Sequence, residues 1–186
     1  MSDFSEDPVN EAIYGKRGIV GAINLLFDNG CVIPGVMMIM CGIDTMSNLI
    51  REHPDKNTSK DFKKWVGKYL RMPGDNALMP DDIWGARNAL LHTYGISSED
   101  VRSGKSKIVI WLQNPYVPVW YAPDMDPKSI RVDPFQFKDA FLRGVADFLS
   151  STLSDKNKRP LLEERLKELI TYSQFINEEL RFRGKR

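Results

Sequence analysis

Cysteine and histidine are both scarce in this sequence. Two of each occur among 186 residues, which excludes a disulfide-stabilised scaffold and a zinc module built from several cysteines. So few ligands do not make a convincing metal site, and we expect neither a metal nor another cofactor. Both cysteines, Cys31 and Cys41, lie in one apolar stretch, so we expect buried, unreactive thiols in a reducing cytoplasm.

The chain also lacks an excess of charge of one sign and a long apolar run. With 26 basic and 25 acidic residues the formal net charge is +1, so it is not polybasic throughout, although a local basic patch would still be compatible with RNA binding. The apolar, uncharged segment over residues 31–43 is shorter than the roughly 20 residues of a membrane span. The start is acidic and polar, unlike a signal peptide. We therefore expect a cytoplasmic protein without membrane contact.

Apolar residues recur at helical spacing along most of the chain. We expect a flexible tail over residues 1–13 and a single domain over residues 14–182, because no repeat or linker divides it. The fold class predicted is mainly all-α, an up-down bundle of about five to six helices with one inserted β-hairpin. The periodicity predicts helices over residues 14–27, 34–50, 59–70, 80–94, 133–153 and 159–180.

The pattern changes near residue 107. Residues 107–112, KIVIWL, are apolar and rich in β-branched side chains. The segment YVPVWYA, which ends at residue 122, can return as an edge strand, because Pro118 cannot donate to a neighbouring strand. These features predict a hairpin near residues 107–122, whose aromatic side chains would pack on the bundle or stack on nucleic-acid bases.

The helix predicted over residues 80–94 carries the polar residues of greatest chemical interest. At about 100° per residue, three of them form one polar ridge together with a glycine, which opens space beside the imidazole. The ridge consists of Asp81, Gly85, Asn88 and His92. Arg87 lies on the neighbouring side among apolar residues, and its long side chain can reach the ridge.

Arg87 and His92 together favour phosphodiester chemistry. Arginine binds phosphate oxygens through paired hydrogen bonds, and histidine transfers protons near neutral pH. His92 would move the proton of a ribose 2′-hydroxyl or of the leaving oxygen, while Arg87 holds the phosphate as charge develops. Asn88 would orient the histidine or donate to a phosphate oxygen. This chemistry needs no metal.

Residues 87–92 read R-N-x-x-x-H, which resembles the signature of HEPN domains. With Tyr94 the segment reads R-x4-H-x-Y, the form found in HEPN toxins that are paired with nucleotidyltransferase antitoxins. An apolar helix bearing one carboxylate, Asp44, precedes the motif, as in that family. The resemblance covers residues 14–95 and the fifth predicted helix, and it does not extend to the hairpin or to the last helix.

The resemblance implies an all-α homodimer that acts on RNA as a metal-independent endoribonuclease, with the motifs of two subunits forming one cleft. It makes Arg87, His92 and Asn88 the candidate catalytic residues, and Asp44, Asp81 and Tyr94 the supporting ones. Asp44 resembles an acidic residue that contacts the motif arginine, and Tyr94 a tyrosine that some antitoxins modify with AMP. The chain could be the toxin half of a defence or toxin–antitoxin pair, with a nucleotidyltransferase-type antitoxin as partner.

Two other interpretations stay open at this point. HEPN-like chains without catalysis bind a protein or nucleic-acid partner. In a purely structural bundle, Arg87 would bridge to Asp44, His92 would cap the helix C-terminus, and Tyr94 would pack in the core. Similarly, the lysines of the helix over residues 59–70 form either a solvated face or an attractive surface for an RNA backbone.

Overall fold

The computed structural model describes residues 12–16, 18–51, 58–72, 78–114, 116, 119–120 and 128–166. Most of the predicted tail, His53, Pro118 and the predicted last helix beyond residue 166 lie outside this part of the chain. Ile13, at the end of the predicted tail, is fully buried. The domain therefore includes at least this residue of the segment assigned to the tail.

Helices dominate the described residues, so the mainly all-α prediction is confirmed. Helix α1 spans Ile19–Asp28, α2 Val32–Leu49, α3 Thr58–Tyr69, α4 Pro80–Thr93 and α6 Pro134–Ser154, and a helical segment covers residues 159–166. Helices α1 to α4 each contact the next along the chain, and α6 packs on α2 and α3. The single turn α5, Glu99–Arg102, was not predicted from the sequence.

Helix α2 lies at the centre of the bundle. It contacts α1, α3, α4 and α6, and its inward residues Val36, Ile39, Met40 and Ile43 have no exposed surface. Among the described helices α2 is the one long and apolar enough to cross a membrane, with half of its residues buried inside the protein. This is weak evidence for a membrane span, because the core helix of a bundle has the same length and composition.

Both cysteines are exposed, so the prediction that they are buried is wrong. Cys31 precedes α2 as its N-cap residue, and Cys41 lies on the solvent side of α2. The apolar composition of residues 31–43 correctly marks a core helix. It does not reveal which side of that helix is left without a packing partner.

The strands form a three-stranded sheet in the order β1-β3-β2. Strand β1 spans Ile108–Trp111, β2 Val119–Trp120 and β3 Ser129–Val132. The β1 and β3 strands are parallel, whereas β2 and β3 are antiparallel. The predicted hairpin near residues 107–122 is therefore wrong: its two strands exist, but β3 lies between them. Strand β3 holds the central position, and its Ser129, Ile130 and Val132 are fully buried there.

The sheet leads directly into α6. The side chain of Asp133 caps this helix, since its Oδ1 accepts hydrogen bonds from the backbone N–H groups of Phe135 and Gln136 at 2.9 and 2.8 Å. An aspartate at the cap position followed by a proline in the first turn is a typical start of a helix. Trp111 of β1 packs on Phe137, with ring centroids 5.0 Å apart. Trp111 therefore packs on the bundle through this contact, and base stacking by the aromatic side chains stays a prediction.

Candidate functional site

Helix α4 has a buried side toward the core and a polar side toward solvent. Its buried apolar residues are Ile83, Ala86, Ala89 and Leu90. Asp81 and His92 are exposed, and Arg87 and Asn88 are half-buried. The helical spacing of these two sets therefore orients α4 so that the motif residues face outward while the helix stays anchored.

The Arg87 guanidinium joins α4 to the central helix α2. Its Nε and Nη2 donate to Oδ2 of Asp44 at 3.0 and 2.8 Å. Its Nη1 donates to Oδ1 of Asn88 at 3.1 Å and lies 3.5 Å from Nε2 of His92. The Trp84 ring centroid lies 5.3 Å from Cζ, which adds a cation–π contact. The structure thus brings together the arginine, histidine, asparagine and Asp44 named from the sequence.

The contact with Arg87 selects one tautomer of His92. A guanidinium N–H can only donate, so a hydrogen bond here requires Nε2 to accept and the proton of the neutral imidazole to be on Nδ1. Nε2 is then able to take a proton from a hydroxyl group. Because 3.5 Å is at the outer limit of a hydrogen bond, a substrate oxygen can replace Arg87 as the partner of Nε2.

This cluster is open to solvent on one side. The side chain of Arg87 is 20% exposed and that of Asp44 is 29% exposed, and His92 is exposed. Partial burial strengthens the arginine–carboxylate pair relative to a fully exposed one. The exposed imidazole leaves a path by which a phosphate can reach both Arg87 and His92.

The charges of the cluster also act on Cys41, which lies one turn before Asp44 on α2. Although Cys41 is exposed, partial desolvation of its sulfur raises the pKa of the thiol, and the Asp44 carboxylate raises it further, whereas Arg87 lowers it. An anion beside the sulfur disfavours the thiolate, and a cation favours it. Cys41 therefore responds to both partners of the ion pair, although it has no part in the predicted chemistry.

Two members of the predicted ridge have other roles. Gly85 is buried, and a Cβ atom there would lie 2.2 Å from Oγ of Ser106. The missing side chain therefore makes room for the segment after α5 and not for the imidazole, so that part of the prediction is wrong. Oδ1 of Asp81 lies 2.5 Å from Nζ of Lys63 on α3, away from the guanidinium cluster.

Tyr94 ends α4 in a left-handed backbone conformation, with φ at 52°. The residue in the left-handed conformation is Tyr94 and not the glycine that follows it, Gly95. The N–H groups of Tyr94 and Gly95 donate to the carbonyls of Leu90 and Ala89, which satisfies the end of the helix. The Tyr94 side chain is 64% exposed, so the interpretation of this residue as a core residue is wrong.

Sequence reasoning missed a buried carboxylate on α4. Asp82 is 3% exposed, and its two oxygens accept from the backbone N–H groups of Met79 at 3.1 Å and Lys107 at 2.7 Å. The Lys107 ammonium lies 3.7 Å away. These bonds fasten the start of α4 to the start of β1. The available signal was an acidic residue in the third helical position, where a carboxylate reaches back to the preceding backbone.

Within the described part of the chain, no three histidine, cysteine, aspartate or glutamate side chains are grouped so that they could hold a metal ion. No protein-family model, curated protein or solved structure matches this sequence. The chemistry of the cluster around Arg87 is therefore the basis on which a function can be proposed.

Proposed function

We propose that this chain is a HEPN-type, metal-independent endoribonuclease that acts as a homodimer in the cytoplasm. One observation carries the proposal: Nη1 of Arg87 lies 3.5 Å from Nε2 of His92 where the imidazole is exposed. Asp44 holds the arginine from behind. The R-N-x-x-x-H spacing, which resembles the HEPN signature, supports the same assignment.

The arginine has one edge engaged and another directed toward the motif. Asp44 accepts from Nε and Nη2 through a single oxygen. The edge formed by Nη1 and Nη2 can hold two phosphate oxygens, and Nη1 already points to Asn88 and His92. Asp44 would therefore fix the plane of the guanidinium without touching the substrate. Asn88 would release its hydrogen bond with Arg87 and bind a phosphate group or the imidazole instead.

The reaction would begin with proton transfer to Nε2 of His92. The ribose O2′ attacks phosphorus, the P–O2′ bond forms, and the P–O5′ bond breaks to leave a 2′,3′-cyclic phosphate and a 5′-hydroxyl. Arg87 stabilises the charge that develops on the phosphate oxygens. One imidazole cannot accept a proton from O2′ and donate one to O5′ at the same moment. A homodimer, in which the imidazole of a second copy supplies that proton, meets this requirement.

The test is cleavage of RNA by the purified chain in the presence of a chelator. We expect Arg87→Ala and His92→Ala each to reduce the rate by about 100-fold or more. The matched control is Arg102→Ala, which removes an exposed arginine of α5 outside the cluster. A DNA strand of the same sequence should stay intact because it lacks the attacking hydroxyl. No cleavage by the unmodified chain, or cleavage by both cluster variants at the rate of the unmodified chain, contradicts the proposal.

The partner implied for a toxin of this type is a nucleotidyltransferase-type antitoxin. The exposed position of Tyr94 supports this, because a transferase can reach its hydroxyl group without unfolding the helix end. Co-expression with such an enzyme should add the mass of AMP to the chain. The addition should disappear in Tyr94→Phe.

The second candidate is a HEPN-like module that binds a protein or nucleic acid without cleaving it. It is favoured by exposed apolar side chains after β1, with Leu112 50% and Tyr116 91% exposed. This candidate predicts a dimer with no nuclease activity. Its Tyr116→Ser variant should bind the partner more weakly while keeping the same thermal stability.

A further inference from the structure

The polar side of α4 continues past the cluster to a lysine of α3. On an ideal helix, Asp81, Asn88 and His92 lie within about 40° of one another. The Nζ atom of Lys63 reaches this line, 2.5 Å from Oδ1 of Asp81. A rise of about 1.5 Å per residue places Asp81 about 10 Å along the axis from Asn88. The cation of Lys63 therefore lies on the same side of α4 as Asn88, and its partner Asp81 is about two helical turns from Asn88 along the axis.

We infer that Lys63 is a second phosphate-binding residue, which contacts the RNA strand away from the phosphate held by Arg87. This inference rests on the proposed function, because it requires the bound RNA strand to lie along α4. Phosphates of one stacked strand are about 3.4 Å apart along the axis. A separation of about 10 Å then corresponds to about three nucleotides, fewer if the strand is extended.

Asp81 positions the lysine and limits its affinity for phosphate. The side chains of Lys63 and Asp81 are 31% and 55% exposed, and ion pairs with this exposure contribute little stability. An ammonium group has three N–H donors, so a phosphate can bind while Asp81 keeps one of them. The carboxylate holds the ammonium on the polar side of α4, and its negative charge opposes the incoming strand.

The neighbouring lysine supplies an internal control. Lys64 is exposed and lies one residue further along α3, about 100° around the helix from Lys63. Neutralising either lysine changes the total charge equally. A difference between the two variants therefore reports the position of the charge and not its amount.

The experiment measures binding of a fluorescein-labelled oligo(U) strand to the full chain by fluorescence anisotropy, at several salt concentrations. The His92→Ala background prevents cleavage during the measurement. We expect Lys63→Gln to weaken binding. The negative slope of log affinity against log salt should become shallower by about 0.7, the value for one phosphate of a single strand. Lys63→Arg should restore binding, and Asp81→Asn should strengthen it. Lys64→Gln should have the smaller effect.

Equal losses in Lys63→Gln and Lys64→Gln would overturn the inference and leave the nuclease proposal standing. Absence of oligo(U) binding by the parent chain would overturn it as well. Conversely, Lys63-dependent binding by a chain that fails to cleave RNA supports the phosphate contact and rejects the nuclease. If Lys63→Gln does not fold, the comparison of Asp81→Asn with the parent decides, since unchanged affinity there contradicts the role given to Asp81.

Discussion

Two aspartates hold helix α4 in place, and they do so by different means. Asp82 is sealed at the start of the helix, where both of its oxygens accept backbone N–H groups. Asp44 reaches α4 from α2 at a half-exposed position, and its partner is the side chain of Arg87. The first carboxylate fixes main chain to main chain. The second fixes a side chain whose remaining nitrogen faces an asparagine and a histidine.

The difference separates a structural contact from one suited to chemistry. Hydrogen bonds from backbone N–H groups to a buried carboxylate hold the main chain in place, and removing the carboxylate breaks them. An arginine held along one edge keeps the other edge for a ligand. Similar residue types on one helix thus acquire different roles through exposure and through the kind of donor that they meet.

The largest effect on stability is expected from Asp82→Ala. This change removes the buried carboxylate that accepts from the N–H groups of Met79 and Lys107 and should lower the free energy of unfolding by about 2–4 kcal/mol. Urea denaturation measures it. Asp44→Asn is the matched control, with an expected loss of about 1 kcal/mol or less, because an amide oxygen still accepts from Arg87. Equal losses in the two variants would contradict the distinction between these aspartates.

A smaller loss of stability, about 1 kcal/mol, is expected from Gly85→Ala. The added methyl group would meet Oγ and Cβ of Ser106 at 2.2 and 3.0 Å, and this overpacking outweighs the better helix propensity of alanine, about 1 kcal/mol. Thermal denaturation of Gly85→Ala, Ser106→Gly and the double variant measures the coupling. Additive effects would show that the two residues are not in contact in solution.

The smallest effect is a shift in the titration of Cys41. Its alkylation rate, measured against pH in a Cys31→Ser background, should give a midpoint above the usual pKa of a thiol. Asp44→Asn should lower that pKa, because the carboxylate raises it, and Arg87→Ala should raise it, because the guanidinium lowers it. Identical midpoints in all three proteins would show that the ion pair does not act on the sulfur.

Local signals made the helices and the contacts of the motif predictable. Aspartate before proline marks a helix start through chemistry contained in four residues, and Asp133 behaves as this signal predicts. Helical spacing brought Arg87 within reach of Asn88 and His92, and the resemblance to HEPN domains directed attention to Asp44. The roles assigned to these residues in catalysis stay predictions.

Features that depend on distant segments were not predictable in the same way. The space at Gly85 is filled by Ser106, and the partner of β1 is β3, which follows β2 in the chain. The segment SIRV alternates polar and apolar residues too briefly to identify a central strand. The exposure of Cys41 likewise depends on which helices surround α2 and not on the apolar residues beside it.

The parallel pairing of β1 with β3 also determines when α4 is fully supported during synthesis. Helix α4 packs on β1, yet the neighbour of β1 in the sheet begins only at Ser129. A nascent chain that ends before this residue contains Arg87 and His92 on a helix whose supporting strand has no partner. The cluster around Arg87 would therefore reach its final support late in translation, after β3 has been added to the chain.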